Sequence, residues 1–167
     1  MKLLMLLVLL ICGISLIGCS RFVPQLAKDV VLKTYVVLEK ADIVIQNIDV
    51  NNIIETSKKL ELPLNVTKIA LNLLNKKINN PDVNIELEKA LLNVDTMLEL
   101  LKDVNVENLE DLKTELSINI IELKSIVETA AKAINVELPI IKSSATSSEE
   151  SMEELNKAVK KLQDTVK

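Results

Sequence analysis

LEDLKTELSINIIELKSIVETAAKAI, residues 109–134, decides the fold class. Leu109, Leu112, Leu116, Ile120, Leu123, Val127, Ala130 and Ile134 recur at intervals of three or four, which gathers them on one side of a helix. β-Branched residues are frequent here and elsewhere in the chain, but strict apolar–polar alternation is nowhere sustained, so the helical period prevails over strands.

The same pattern runs outward in both directions. Val83, Leu87, Ala90, Leu91, Val94, Met97, Leu98 and Leu101 define a helix that precedes this one, across a short break near Asp103 to Asn105. Upstream, Ala27, Val30, Val31, Thr34, Val37, Leu38, Ala41, Val44, Ile45 and Ile48 trace a long first helix, with Pro24 in its first turn. Between them the spacing predicts two shorter helices. One is capped by Asp49 or Asn51, presents Ile53, Ile54, Ser57 and Leu60, and stops before Pro63. The other is capped by Asn65, presents Val66, Ile69, Ala70, Leu73, Leu74 and Ile78, and ends at Asn79-Asn80-Pro81. Pro139 and the run SSATSS interrupt the pattern, and Ser147 with Glu150, or Ser151 with Glu154, resembles a capping box for a last helix. That helix carries the narrow seam Met152, Leu155, Val159, Leu162 and Val166, expected to dock on its own bundle because an isolated coiled coil of this length is marginal. The expectation is an all-α, antiparallel bundle of about five to six helices, with a bundle over 24–138, a Ser-rich linker over 139–148 and an amphipathic helix over 149–167. LELPL at 60–64 and VELPI at 136–140 look alike, but their flanks do not match at that 76-residue offset, so no internal duplication is expected.

Residues 1–18 read differently. Lys2 precedes a run from Leu3 to Ile17 that is apolar apart from Cys12, Gly13 and Ser15, and small Gly18 then precedes Cys19. This is the order of a secretory signal. The run falls short of the roughly 20 apolar residues that span a bilayer. Leu16-Ile17-Gly18-Cys19 resembles the lipobox of bacterial lipoprotein precursors. The resemblance covers only this leader and implies cleavage after Gly18 with diacylglycerol on the Cys19 thiol. Two or more acyl chains make a stable anchor where one does not. Residues 19–23 then form the lipidated cysteine and a short tether, and Ser20 resembles the pattern that permits transfer to an outer membrane. The implied location is extracytoplasmic, held to a membrane by lipid.

Composition narrows function by exclusion. The chain of 167 residues has 20 basic and 24 acidic residues; loss of Lys2 with the leader leaves 19 against 24, a formal charge of −5. That balance argues against a nucleic-acid partner. Both cysteines and both glycines lie in the first 19 residues, so the mature body is expected to hold no disulfide and to place Asn where a turn needs positive φ, Asn79-Asn80 among the candidates. The chain has no histidine, and the mature body has no glycine for a phosphate loop or nucleophile elbow and a single arginine, Arg21. The carboxylate groups Glu110-Asp111 and Glu149-Glu150 with Glu153-Glu154 read as solvated helix faces, not catalytic pairs. Ser143 or Ser144 beside Lys142 is a poor nucleophile–base pair. No catalytic residue, metal or cofactor is expected. The leading expectation is a non-catalytic, membrane-anchored lipoprotein whose bundle presents a surface to another protein, and the alternative is a carrier of an apolar, lipid-like ligand within the bundle.

Overall fold

The computed structural model describes residues 24–141 and 147–167; residues 1–23, with the lipidation candidate Cys19 among them, and residues 142–146 lie outside the described residues. The described residues form five helices and no strand: α1 (Gln25–Gln46), α2 (Ile53–Lys77), α3 (Pro81–Leu100), α4 (Leu109–Ala133) and α5 (Ser148–Val166). The all-α bundle is as expected. α1 to α4 run alternately up and down with α2 against α3, α3 against α4, and α4 closing the ring on α1, while α5 lies along α1 with a smaller contact on α2. The last helix thus docks on its own bundle.

α1 is the innermost element. All ten apolar-face residues from Ala27 to Ile48 are buried, and of its 22 residues only Gln25, Leu26 and Gln46 are exposed. Its remaining sides are covered by α2, α4 and α5. The core is almost wholly aliphatic, with Leu38, Ile45, Leu71, Leu87, Leu116, Ile120 and Leu123 among its fully buried large side chains.

α2 corrects the sequence-based division. The chain does not stop at Pro63 and restart at Asn65; one helix of 25 residues runs through both. An interior proline costs about 3 kcal/mol because it removes an N–H and crowds the carbonyl four residues back. That carbonyl belongs to Lys59, an exposed residue where water can serve it, whereas Pro63 itself is buried. Apolar contacts on both sides of the proline, from Ile53 and Leu60 to Leu71 and Leu74, fall on one continuous face, and this outweighs the local break. Continuity also fixes the phase: Ile54 and Ile69, expected inward, are 56% and 53% exposed. Asn65 sits within the helix and donates from Nδ2 to the Glu61 carbonyl.

The connections are built from amide side chains. Between α1 and α2, Asp49 and Asn52 bond reciprocally, each side chain accepting from the other's backbone N–H, and Asn52 Nδ2 donates to the Asn47 carbonyl. Between α3 and α4, Asn105 and Asn108 make the same reciprocal pair and Asn108 Nδ2 donates to the Asp103 carbonyl. Asn80 caps α3, accepting from the N–H groups of Asp82 and Val83 with φ of −143°, so this is not the positive-φ site. Asn135 is, with φ of 54°. It closes α4 in a Schellman turn, the Asn135 N–H donating to Lys132 and the Val136 N–H to Ala131. Ser147 caps α5 by accepting from the Glu150 N–H, while Ser151, the other capping candidate, is buried one turn inside.

A structural repeat emerges at an offset of 56 residues, not 76. α2 and α4 have 25 residues each, beginning at Ile53 and Leu109, and α1 and α3 begin at Gln25 and Pro81. Every buried residue of α3 matches a buried residue of α1: Val83 with Ala27, Leu87 with Val31, Ala90 with Thr34, Val94 with Leu38, Met97 with Ala41. The two hairpins are therefore related by an approximate two-fold axis along the bundle, and the Asn-rich loops are equivalent under it.

Two consequences for stability are measurable by urea unfolding. Asn135→Ala places a Cβ without a local amide in the left-handed region and should lower stability by about 1 kcal/mol, whereas Asn135→Gly should hold or raise it. The Thr34 and Thr67 hydroxyls are buried without a hydrogen-bond partner. Thr34→Val keeps the shape and removes that unpaired group, so stability should rise by about 1 kcal/mol.

Candidate functional site

A largely enclosed cluster of three charged side chains lies where α4 packs on α1. The Lys124 ammonium reaches Glu39 Oε1 at 2.9 Å and Asp42 Oδ2 at 3.2 Å. Glu39 and Asp42 are three apart on α1 and so share one face. The side chains are only 19%, 20% and 13% exposed. Burial alone would lower the Lys124 pKa, but hydrogen bonds and charge attraction from Glu39 and Asp42 outweigh it, and the net shift is upward. Half-buried Tyr35, one turn before Glu39, is also raised, first by burial, then by its hydrogen bond to Glu39 and the charges of Glu39 and Glu128, against the opposing charge of Lys124.

Beside this cluster runs an open groove of about 440 Å³. Its walls are Tyr35 and Glu39 on α1, Glu128 and Lys132 on α4, and the extended segment from Val136 to Ile141. The Schellman turn at Asn135 steers that segment across the groove, and Val136 and Leu138 pack on the core while Ile140 stays 90% exposed.

The repeat identifies what the cluster does mechanically. Fifty-six residues separate Lys68 from Lys124 and Glu39 from Asp95, and Lys68 pairs with Asp95 as Lys124 pairs with Glu39. One ion pair ties α2 to α3 and its mate ties α4 to α1, so the two bridges fix the same register twice. They differ in depth: Lys68 and Asp95 are 39% and 49% exposed. Sequence reasoning missed both, because each joins residues on different helices, beyond the reach of any local pattern.

The sequence-level carboxylate candidates are not assembled into a site. Glu110 and Asp111 are exposed in the first turn of α4, Glu149 and Glu150 in that of α5. Glu153 pairs with Lys157, and Glu154 with Lys40 of α1. Ser143, Ser144 and Lys142, and the lipidation candidate Cys19, lie outside the described residues. Among the described residues, no three potential metal ligands cluster and no helix is long and apolar enough to cross a membrane.

No family model matches this chain, and comparison with curated proteins and with solved structures likewise finds no match.

Lys124→Met should lower stability by about 1–3 kcal/mol, since it strands two half-buried carboxylates. Lys68→Met should cost under about 1 kcal/mol at its exposed position. The raised values of Lys124 and Tyr35 mean that the folded chain holds these protons more tightly than the unfolded one. Their stabilisation is thus complete below the ordinary tyrosine value of 10.0 and is lost as pH climbs through the raised values. Urea unfolding between pH 9 and 12 should show that loss, with a smaller slope in Lys124→Met and in Tyr35→Phe.

Proposed function

We propose that this chain is a non-catalytic bacterial lipoprotein, anchored by acyl chains on Cys19 at the extracytoplasmic face of a membrane, the outer membrane where there is one. Its helical bundle presents a surface to a protein partner. The observation that carries the proposal is the run ending Leu16-Ile17-Gly18-Cys19, placed only six residues ahead of Gln25, where α1 begins. A tether of five residues extends at most about 18 Å, so an acylated Cys19 holds the bundle against the headgroups. The bundle itself offers side chains for a partner: Leu92, Ile118 and Ile121 are 59–67% exposed on α3 and α4. The alternative, a carrier of an apolar ligand, would use a groove such as the one between α1 and α4. There the apolar strip of Ala131, Val136, Leu138 and Ile140 lies beside Glu39, Glu128 and Lys132, a mixed lining that suits an acyl chain poorly.

Metabolic labelling with palmitate tests the anchor. Wild type should take up label and fractionate with membranes, and Cys19→Ala should do neither. Equal labelling of the two chains, or an unlabelled wild type that still begins at Met1, overturns the reading.

A further inference from the structure

We propose that the end of the bundle bearing Lys28, Lys76 and Lys77 is the face that rests on an anionic lipid surface, and that the opposite, acidic end is directed away from it. The inference extends the lipoprotein reading and relies on it for the position of the anchor.

Topology sets the two ends. The start of α1, the end of α2 and the start of α3 share one end with the finish of α4 and α5, as the bond from Lys33 Nζ to Thr165 Oγ1 shows for α5. The end of α1 and the start of α2 share the other with the start of α5, where Asn52 Nδ2 donates to Ser148 Oγ and Asn47 Nδ2 to Ser151 Oγ. Because α5 is a fifth helix on a four-helix ring, three helix N-termini meet at the second end and only two at the first.

Side-chain charge follows. At the second end, Glu55, Glu110, Asp111, Glu149 and Glu150 occupy first turns, and Asp49, Asp103 and Glu107 sit in the loops. The last turns of α1 and α3, which finish there, contain no basic residue to offset them. At the first end, Lys76 and Lys77 close α2, Lys132, the mate of Lys76 at the 56-residue offset, closes α4, and the first turn of α1 contains no acid. Lys28, Lys76, Lys77 and Lys132 form no ion pair among the described residues. The acids at this end are Asp29, whose carboxylate accepts from Gln25, Asp82 in the first turn of α3, and Asp164 in the last turn of α5, which pairs with Lys167. The described chain begins at this same end, at Pro24, so residues 19–23 join the bundle where the free lysines are. Near an anionic bilayer each lysine is drawn in and each carboxylate pushed out, within about 10 Å of the surface. A bundle about 35 Å long keeps its acidic end beyond that reach when it stands upright.

Lysine acetylation read by mass spectrometry tests the orientation on the full chain, bound to vesicles of phosphatidylglycerol and phosphatidylethanolamine and, in parallel, of phosphatidylcholine. Lys28, Lys76 and Lys77 should be modified at least about threefold more slowly on the anionic vesicles, with Lys58 and Lys102 unchanged and the protection lost in high salt. Lys76→Glu/Lys77→Glu should relieve protection at Lys28. Equal protection at both ends, or slower modification of Lys58 and Lys102 than of Lys76, overturns the orientation while palmitate labelling leaves the anchor standing. An unlabelled chain whose Lys28, Lys76 and Lys77 are still protected on anionic vesicles overturns the anchor and keeps the face.

Discussion

The packing of α1 against three other helices is the constraint on which the rest depends. With α2, α4 and α5 against it and only Gln25, Leu26 and Gln46 fully exposed, most of its charged residues are half-buried and find partners on those neighbours. They do so helix by helix: Lys33 and Lys40 meet Thr165 and Glu154 of α5, and Glu39 and Asp42 meet Lys124 of α4. These contacts set register, and the energy comes from the aliphatic side chains between them. Among the described residues there is no cysteine and Tyr35 is the one aromatic, so neither a disulfide nor an aromatic cluster assists there.

How much of this was legible in the sequence depends on what kind of signal each element left. The apolar faces of α1, α3 and α4 were readable because their repeats run unbroken for five or more turns. α2 was not, because Pro63 is a local signal and the packing that overrides it is not local. The phase of its exposed face was misjudged at Ile54 and Ile69 for the same reason. The need for Asn at positive φ follows from the absence of glycine after residue 18, but its position does not: the sequence singles out Asn79-Asn80, and the positive φ falls at Asn135, where α4 closes in a Schellman turn. As for the candidate site, the reading of Cys19 rests on the sequence pattern of residues 16–19 alone and lies outside the described residues, whereas the Lys124 cluster joins residues more than 80 positions apart and left no mark in either local pattern.

The repeat was hidden for a related reason. Burial is preserved at the 56-residue offset while identity is sparse, confined to such positions as Asn52 with Asn108, Leu60 with Leu116 and Lys68 with Lys124. These are positions where geometry allows few substitutes: a loop amide that must both donate and accept, a core leucine, a lysine long enough to bridge two helices. LELPL and VELPI, more alike as strings, occupy unlike places, the first inside α2 and the second beyond the end of α4.

Two matched hairpins offer two seats for a fifth helix, and among the described residues one of them is filled. On α1 the seat is the stripe Val30, Lys33, Val37, Lys40, Val44 and Asn47, and on α2 it includes Asn52, Thr56, Pro63 and Val66. The matched residues of the second hairpin are Glu86, Lys89, Asn93, Thr96, Leu100 and Asp103, with Asn108, Leu112, Asn119 and Glu122. Most of the apolar positions have become polar, and the groove there is rimmed by Glu99, Asp103, Asp111 and Glu115. α5 opens with Glu149, Glu150, Glu153 and Glu154, so it would meet like charge on the second seat and lose the valines it covers on the first. Discrimination between the two matched hairpins thus rests on eight of these ten positions, since Lys33 with Lys89 and Asn52 with Asn108 are identical. The same choice, by adding a third N-terminus to one end, makes the bundle electrically polar along its axis.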